Sequence, residues 1–261
     1  MKYLPDKVRW HIKEKEKTSK EEAVYISQVI NFFNKKLGEK YFSILDVACG
    51  NGRLHPYLRK FGFEVFGIDS SKELIKEAQR KFPRYSQNYK KADMRNFDLK
   101  RKFDVALSWF TSFGYFEDKE NLIVLRNINK HLREKGLLLL DIPNAPVRMK
   151  EIQSHPIFLL KQGNFLEIVD NRIERGGKQK FWVLKQTFYV RERKSFPTRM
   201  NVFLLRFLKR EKRKVRLYSL REINKLLEWA NFKIIKVFDS MSFKQINEKT
   251  RQMLIVAQKQ A

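Results

Sequence analysis

The run Ile44-Leu-Asp-Val-Ala-Cys-Gly-Asn-Gly-Arg53 limits the possible folds of this 261-residue chain more than any other stretch. An apolar segment delivers an acidic residue, and a Gly-x-Gly turn then opens a helical pattern. Glycine tolerates the left-handed backbone that such a turn needs, and it lets the main chain pass close to a ligand where a Cβ would clash. The first amides of the following helix lack partners within the helix and face the polar end of whatever binds there. On α/β sheets that place lies outside the carboxyl ends of the strands, where the connections reverse direction.

The surrounding pattern supports such a sheet. Ser19-Lys-Glu-Glu22 has the spacing of a capping box, and Ala23, Ile26, Ile30 and Phe33 recur at helical intervals, which predicts a helix over 19–37 ended by Gly38. Residues 1–18 read as a polar, mobile segment with Tyr3, Leu4, Trp10 and Ile12 as anchors. Strands are then predicted at 41–47, 64–68, 89–92, 103–109 and 136–142. Helices are predicted between them at 54–61, from the Ser70-Ser-Lys-Glu73 cap to about residue 82, and at 118–134. Strands alternating with helices indicate parallel β-α-β units with right-handed connections. After Asn144 the alternation breaks, and 164–216 reads as strands separated by Gly176-Gly177 and Phe196-Pro197. Ser219-Leu-Arg-Glu222 caps a last helix to about residue 230, and strands at 232–238 and 251–257 close the chain.

A dinucleotide is one ligand such a loop could hold. Dinucleotide loops prefer a third glycine three residues after the second, however, and here that position is His55. Nor do they require a carboxylate inside the first strand, where Asp46 stands. A carboxylate there suits a ligand with positive groups, such as a sulfonium and an α-amine, so loop and strand together favour S-adenosylmethionine. Asp69 ends the second strand, where it could accept both ribose hydroxyls, with Ser70 capping the next helix and leaving the aspartate free. Asp93 ends the third, within reach of an adenine amino group.

With three strand-end carboxylates in order, the stretch 19–145 resembles the class I S-adenosylmethionine-dependent methyltransferases. The segment Ser108-Trp-Phe-Thr-Ser-Phe-Gly-Tyr-Phe-Glu-Asp118 is similar to that following strand 4 in one broad branch, and Arg216-Leu-Tyr-Ser-Leu220 extends the likeness into the tail. The resemblance implies an α/β fold: a Rossmann-like seven-stranded sheet ordered 3-2-1-4-5-7-6, its last strand antiparallel, with helices on both faces and an inserted antiparallel β extension. It implies that Asp46, Ala48, Cys49, Gly50, Asn51 and Gly52 take the methionine portion, Asp69 the ribose, and Asp93 and Met94 the adenine. Ser70, Ser108, Trp109 and Phe110 complete the expected cofactor set. Trp109 and Phe110 would stack near adenine, with core packing of at least one as the alternative. The expected division is an N-terminal lid over 1–40, a cofactor-binding core over 41–145 and 217–261, and a basic insertion over 146–216 covering the substrate.

The acceptor chemistry is narrowed by what is missing. No Asn/Asp-Pro-Pro-Tyr follows strand 4, and the single cysteine, Cys49, lies in the cofactor loop as a small packed residue, away from any acceptor. It also excludes a disulfide framework and a multi-cysteine metal site, and no metal is expected. That leaves direct displacement, in which the protein aligns the acceptor and excludes water. Tyr115 and Asp141 are the candidate bases, the alternatives being an aromatic lid and a structural loop carboxylate. His11 is read as a solvated residue or part of the lid. His55 is expected to cap or pack within its helix, and His131 to meet the dipole at a helix C-terminus.

Charge bears on the acceptor. Fifty-six Lys and Arg face 29 Asp and Glu, a net charge of +27, and residues 172–216 hold 16 basic against three acidic side chains. Such a field attracts polyanions. The first expectation is a small, anionic acceptor methylated at oxygen or nitrogen. The alternative is an RNA whose phosphates the basic insertion grips, with Phe181, Phe188, Phe203 and Phe207 either stacking on bases or packing as ordinary half-buried strand residues. A non-catalytic RNA-binding or partner protein on the same fold is the third reading. No apolar run approaches the ~20 residues that span a bilayer, and the N-terminus lacks an apolar signal core, so no membrane partner and a cytoplasmic setting are expected.

Overall fold

The computed structural model describes residues 10–162, 164–195 and 201–260, with the side chains of 10–16, 162, 191–195, 201–204 and 209 outside that description. The expected anchors Tyr3 and Leu4 and the Phe196-Pro197 turn therefore lie outside the described residues, as do the side chains of Trp10, His11, Ile12, Phe203 and Lys209.

The first helix, α1, runs Trp10–Leu37 and begins nine residues before the expected cap. Lys and Glu are good helix formers, and their alternation over 13–17 extends the helix backward. Ser19 is consequently a buried residue inside α1 rather than its N-cap. Gly38, at φ +65°, ends the helix in the left-handed conformation of a C-terminal cap. There follow β1 (Ser43–Val47), α2 (His55–Lys60), β2 (Glu64–Asp69), α3 (Lys72–Lys81), β3 (Tyr89–Lys91), β4 (Phe103–Ser108), α4 (Asp118–His131) and β5 (Leu132–Pro143). The cap of α3 is Ser71, whose hydroxyl accepts from Leu74 N at 3.2 Å, and not Ser70.

After β5 come α5 (Ala145–Ser154), β6 (Ile157–Gln162), β7 (Phe165–Gly176), β8 (Gln179–Ser195) and β9 (Asn201–Arg216). Helix α5 and strand β6 were not anticipated. The helix begins at Asn144-Ala-Pro146, a legible start signal whose continuation carries no clear apolar stripe, and β6 is a short apolar run without alternation. Then α6 (Leu220–Trp229), β10 (Phe232–Asp239) and β11 (Gln252–Lys259) complete the chain. Ser219 and Glu222 form both halves of a capping box on α6.

The main sheet is ordered β10-β11-β5-β4-β1-β2-β3. Strands β1 to β5 pair in parallel, and β11 is antiparallel to both β5 and β10. This is the strand order expected from the family resemblance. Alternation along the strands splits the core into two layers. Ile44, Val65, Val105, Leu107, Leu139 and Val256 face α1 and α2. Leu45, Val47, Ile68, Ala106, Leu140 and Ile255 face α4 and α6. Strands β6 to β9 form a separate antiparallel sheet in sequence order. His131 stands at the C-terminus of α4, as expected. Burial lowers its pKa, its Nδ1–H donates to Asn127 O at 2.8 Å, and its Nε2 accepts from Leu99 N at 3.2 Å.

Candidate functional site

The carboxyl ends of β1, β2 and β4 bring most of the expected residues together. The loop after β1 is left-handed at Ala48 (φ 63°), Gly50 (φ 59°) and Gly52 (φ 70°). A Cβ on Gly50 would meet nothing within 4 Å, so the space above the loop is open there, whereas one on Gly52 would strike the Tyr89 ring at 2.7 Å. Asp69 fastens the loop: its Oδ2 accepts from Gly50 N at 2.9 Å and its Oδ1 from Ser71 N at 2.8 Å. Asp69 is thus not left free by a capping serine, but pinned through one lone pair on each oxygen. Burial raises its pKa, against the pull of those two amides.

Asp46 is buried, and its Oδ2 lies 3.0 Å from His55 Nε2. The other imidazole nitrogen lies 3.1 Å from the Tyr89 hydroxyl, which also accepts from Arg59 at 3.2 Å. His55 therefore does more than cap or pack within α2: it bridges the first strand to the third beneath the loop. Cys49 packs with Ile75, Ala78 and Tyr89, and burial pushes its thiol well above its ordinary pKa, which keeps it a protonated, packed residue. Asn51 is buried and donates to Glu77 at 3.0 Å. Asp93 is half exposed, and both its oxygens accept from Arg95, which holds it below the usual carboxylate range.

The loop after β4 separates residues that the sequence grouped. Ser108 is buried as the last residue of β4. Trp109 is 5% exposed, packs in the α1 layer and donates its indole N–H to Glu22 at 2.6 Å, which is the core packing that stood as the alternative to stacking near adenine. Phe110 is 48% exposed and takes the open position. Phe110 and Thr111 both hold positive φ, 55° and 61°, a strained pair that persists only where the surroundings impose it. Asp141 imposes it. Its Oδ2 accepts from Phe110 N at 2.9 Å and Gln252 Nε2 at 3.1 Å, its Oδ1 accepts from Ser240 at 2.8 Å, and its main-chain oxygen accepts from Thr111 N at 3.2 Å. Buried and engaged on both oxygens, Asp141 holds the loop, which is the structural reading that stood beside its reading as a base. Burial lifts its pKa to about 6.

Tyr115 is 42% exposed at the edge of this loop. Burial of its hydroxyl raises its pKa, with Asp69 adding to the rise and Arg213 of β9 opposing it. The phenol thus lies within electrostatic reach of both the β2 end and the inserted sheet. With its pKa raised, the phenol is protonated at neutral pH.

Sequence reasoning missed Glu22. It accepts from Arg53 at 2.8 and 2.7 Å and from Trp109, joining α1 to both loops. Its capping-box spacing was misleading, and nothing local marks a contact to a residue 87 positions away.

In the inserted sheet, strand alternation sends Arg210, Lys212 and Lys214 outward, all exposed, and Glu211 and Arg213 to the opposite side. Phe181 and Phe188 are buried, which is the ordinary strand reading, while Phe207 is exposed.

The chain matches the family described as "Methyltransferase domain" over residues 18–237. It is 33% identical over 101 residues to the dTDP-3-amino-3,4,6-trideoxy-alpha-D-glucopyranose N,N-dimethyltransferase of Streptomyces venezuelae, covering 38% of this chain and 41% of that protein. The chain spans less than half the length of the curated relatives that it matches. Among solved structures, an S-adenosylmethionine-dependent methyltransferase from Clostridium acetobutylicum superposes with a TM-score of 0.74 at 20% identity, covering 93% of this chain and 92% of the other. The sugar N-methyltransferase KedS8 of Streptoalloteichus superposes at 0.70 with 18% identity, covering 100% and 96%. These two likenesses are of fold.

Proposed function

The chain belongs to the methyltransferase-domain family, and from that premise we propose that it binds S-adenosylmethionine and transfers its methyl group to an oxygen or nitrogen of a small polar molecule. The observation that carries the reading is the loop from Ala48 to Gly52, tied through Gly50 N to the Asp69 carboxylate and open above Gly50. Asp46 to Gly52 would hold the methionine portion, Asp69 the ribose, and Asp93 with Met94 the adenine. When bound, the cofactor supplies an electrophilic methyl group on a positively charged sulfur that leaves as a neutral thioether.

The remaining work falls to this chain's own residues. The Asp141-held loop sets Phe110 at the mouth of the site, where it excludes water. Tyr115 donates a hydrogen bond that orients the acceptor, and alignment of the two reactants accounts for most of the acceleration such a displacement needs. A small-molecule acceptor is supported by relatives whose names describe N,N-dimethyltransferases of dTDP-linked amino sugars.

Asp69→Ala tests the cofactor reading. Calorimetry should find affinity for S-adenosylmethionine lowered at least tenfold, the loss of about one charge-assisted hydrogen bond, with the protein still folded. Unchanged affinity would remove Asp69 from the site.

RNA as the acceptor is a second reading, supported by the exposed Arg210, Lys212 and Lys214 on the outward face of the insertion. Those cations lie on the side opposite Arg213 and Tyr115, so they would grip phosphates outside the pocket.

A further inference from the structure

The outward face of the inserted sheet divides into an apolar part and a cationic part. Directly opposed residues of antiparallel strands share a face. The register sets Leu159 opposite Ile168, Leu166 opposite Tyr189, and Tyr189 opposite Phe207. Ile157 and Leu205 lie two residues from Leu159 and Phe207 along their strands, and so on the same side. The patch is continuous across the sheet, with the Tyr189 and Phe207 rings meeting edge to face at 6.0 Å. Ile157, Leu159, Leu205 and Phe207 are each more than half exposed. The adjoining rows are cationic: Arg210 stands opposite Thr187, Lys212 opposite Lys185, and Lys214 opposite Val183. Lys161, two residues beyond Leu159, flanks the patch on its other side. Among the described side chains of this face, Arg172 is a further cation. The carboxylates are Asp170, paired with Arg172 at 3.0 Å, and Glu174, 3.9 Å from Lys212. Arg216 shares the face in register but is buried and paired with Asp118 and Glu222. The exposed charge beside the apolar patch is therefore predominantly positive.

Contiguous exposed apolar surface with a polar rim marks an interaction site. Strand β6 says more about its occupant. It is the first strand of its sheet and pairs on one side with β7. Edge strands are normally blunted by charge or proline, yet Ile157-Phe-Leu-Leu160 carries neither. Phe158 and Leu160, on its other side, are exposed as well. A folded partner covers one face of a sheet, whereas a lipid surface receives both sides of a protruding edge. Anionic headgroups also match the cations beside the patch. Two copies meeting about a twofold axis would set two cationic faces side by side. Nucleic-acid bases stack on aromatic rings, and aliphatic Ile157, Leu159 and Leu205 offer them none.

We propose that this part of the inserted sheet docks shallowly on an anionic lipid surface. The outward face lies on the surface, tilted toward β6, so that Ile157 to Leu160 and Phe207 enter the boundary between headgroups and acyl chains. Lys185, Arg210, Lys212 and Lys214 meet lipid phosphates. The open edge of β6 stays at headgroup depth, because unpaired backbone groups are not tolerated in hydrocarbon. Among the described residues no helix is long and apolar enough to cross a membrane, and shallow docking requires none. The docking departs from the expected lack of a membrane partner, which rested on spanning runs and a signal core. It is independent of methyl transfer, and the opposite face, whose Arg213 acts on Tyr115, is turned away from the lipid.

The test sediments the full chain with vesicles of phosphatidylcholine containing about a third phosphatidylglycerol, and with vesicles of phosphatidylcholine alone, across a salt series. The anionic vesicles should bind at least tenfold more tightly. Arg210→Ala, Lys212→Ala and Lys214→Ala combined should weaken that binding roughly a hundredfold at low salt, about fivefold per cation. Leu159→Ser with Phe207→Ser should weaken it at least tenfold at every salt concentration, since salt does not screen apolar contacts. Ile157→Ser with Leu205→Ser is the second pair should the first unfold. Equal binding to the two vesicle types, binding to neither, or undiminished binding by the serine variants would overturn the docking. A serine pair that loses RNA binding and keeps vesicle binding would assign the face to nucleic acid instead. A wild-type dimer in sedimentation equilibrium that the serine pair dissociates would assign it to a second copy.

Discussion

Asp141 shows how much one side chain can settle. A carboxylate at the end of a central strand reads equally well as a base or as a prop, and only its surroundings decide. Donors from the post-β4 loop, β11 and Ser240 occupy both its oxygens. Burial raises its pKa from 3.8 to about 6. Between those values the folded chain keeps a proton that the unfolded chain releases, so stability is full below the lower value and falls as pH rises toward 6. The shift corresponds to a loss of roughly 3 kcal/mol. Asp141→Asn can keep an acceptor toward Phe110 N and should flatten this dependence. Thermal unfolding at pH 4 and pH 6.5 compares the two proteins, and equal losses in both would place that pH dependence in other groups. A nearby contrast is Tyr115, legible in the sequence by its place after strand 4. Its protonation state was not legible, because burial raises its pKa, with Arg213 opposing and Asp69 adding, and these surroundings are set by residues distant in the chain.

Two elements carry the same Ser-x-x-Glu spacing and meet different fates. Before Ser219 the chain is extended, so the serine is free to take the cap of α6, and the capping box forms. Before Ser19 lie Lys and Glu residues that favour helix, so α1 runs through it and the glutamate is released for a tertiary role. Glu22 then ties α1 to the loops after β1 and β4 through Arg53 and Trp109. Glu22→Ala removes a buried acceptor from both groups and should cost about 3 kcal/mol. Chemical denaturation measures that loss, and hydrogen exchange should show α1 opening ahead of the sheet. A variant as stable as the wild type would mean that α1 is held by its apolar face alone. The strands of the main sheet were readable because their apolar runs and turn residues are local signals. Helix α5 and strand β6 have neither a clear apolar stripe nor strict alternation, and so were not.

At the scale of the whole molecule, the charge divides between two faces of one sheet. Arg210, Lys212 and Lys214 point outward, while Arg213 points in toward buried carboxylates. Replacing the three outward cations with alanine should weaken RNA binding and reduce its log–log salt slope by about two, and filter binding across a salt series measures it. If RNA is the acceptor, methylation of RNA should fall in parallel. An unchanged slope would make these residues ordinary solvated charge.

What the sequence determined alone is the strands of the main sheet and the place of the glycine loop after β1, while the order of the strands came from the family resemblance. The strands and the loop follow from hydrophobic period, glycine spacing and strand-end carboxylates, all of them signals within a few residues of one another. The tertiary structure alone decided what each polar group faces: His55 against Asp46, Trp109 against Glu22, and Gln186 beside Glu167 and Glu211. Those contacts join residues far apart in the chain, and a hydrogen bond or ion pair is set by distances of a few ångströms that only packing specifies.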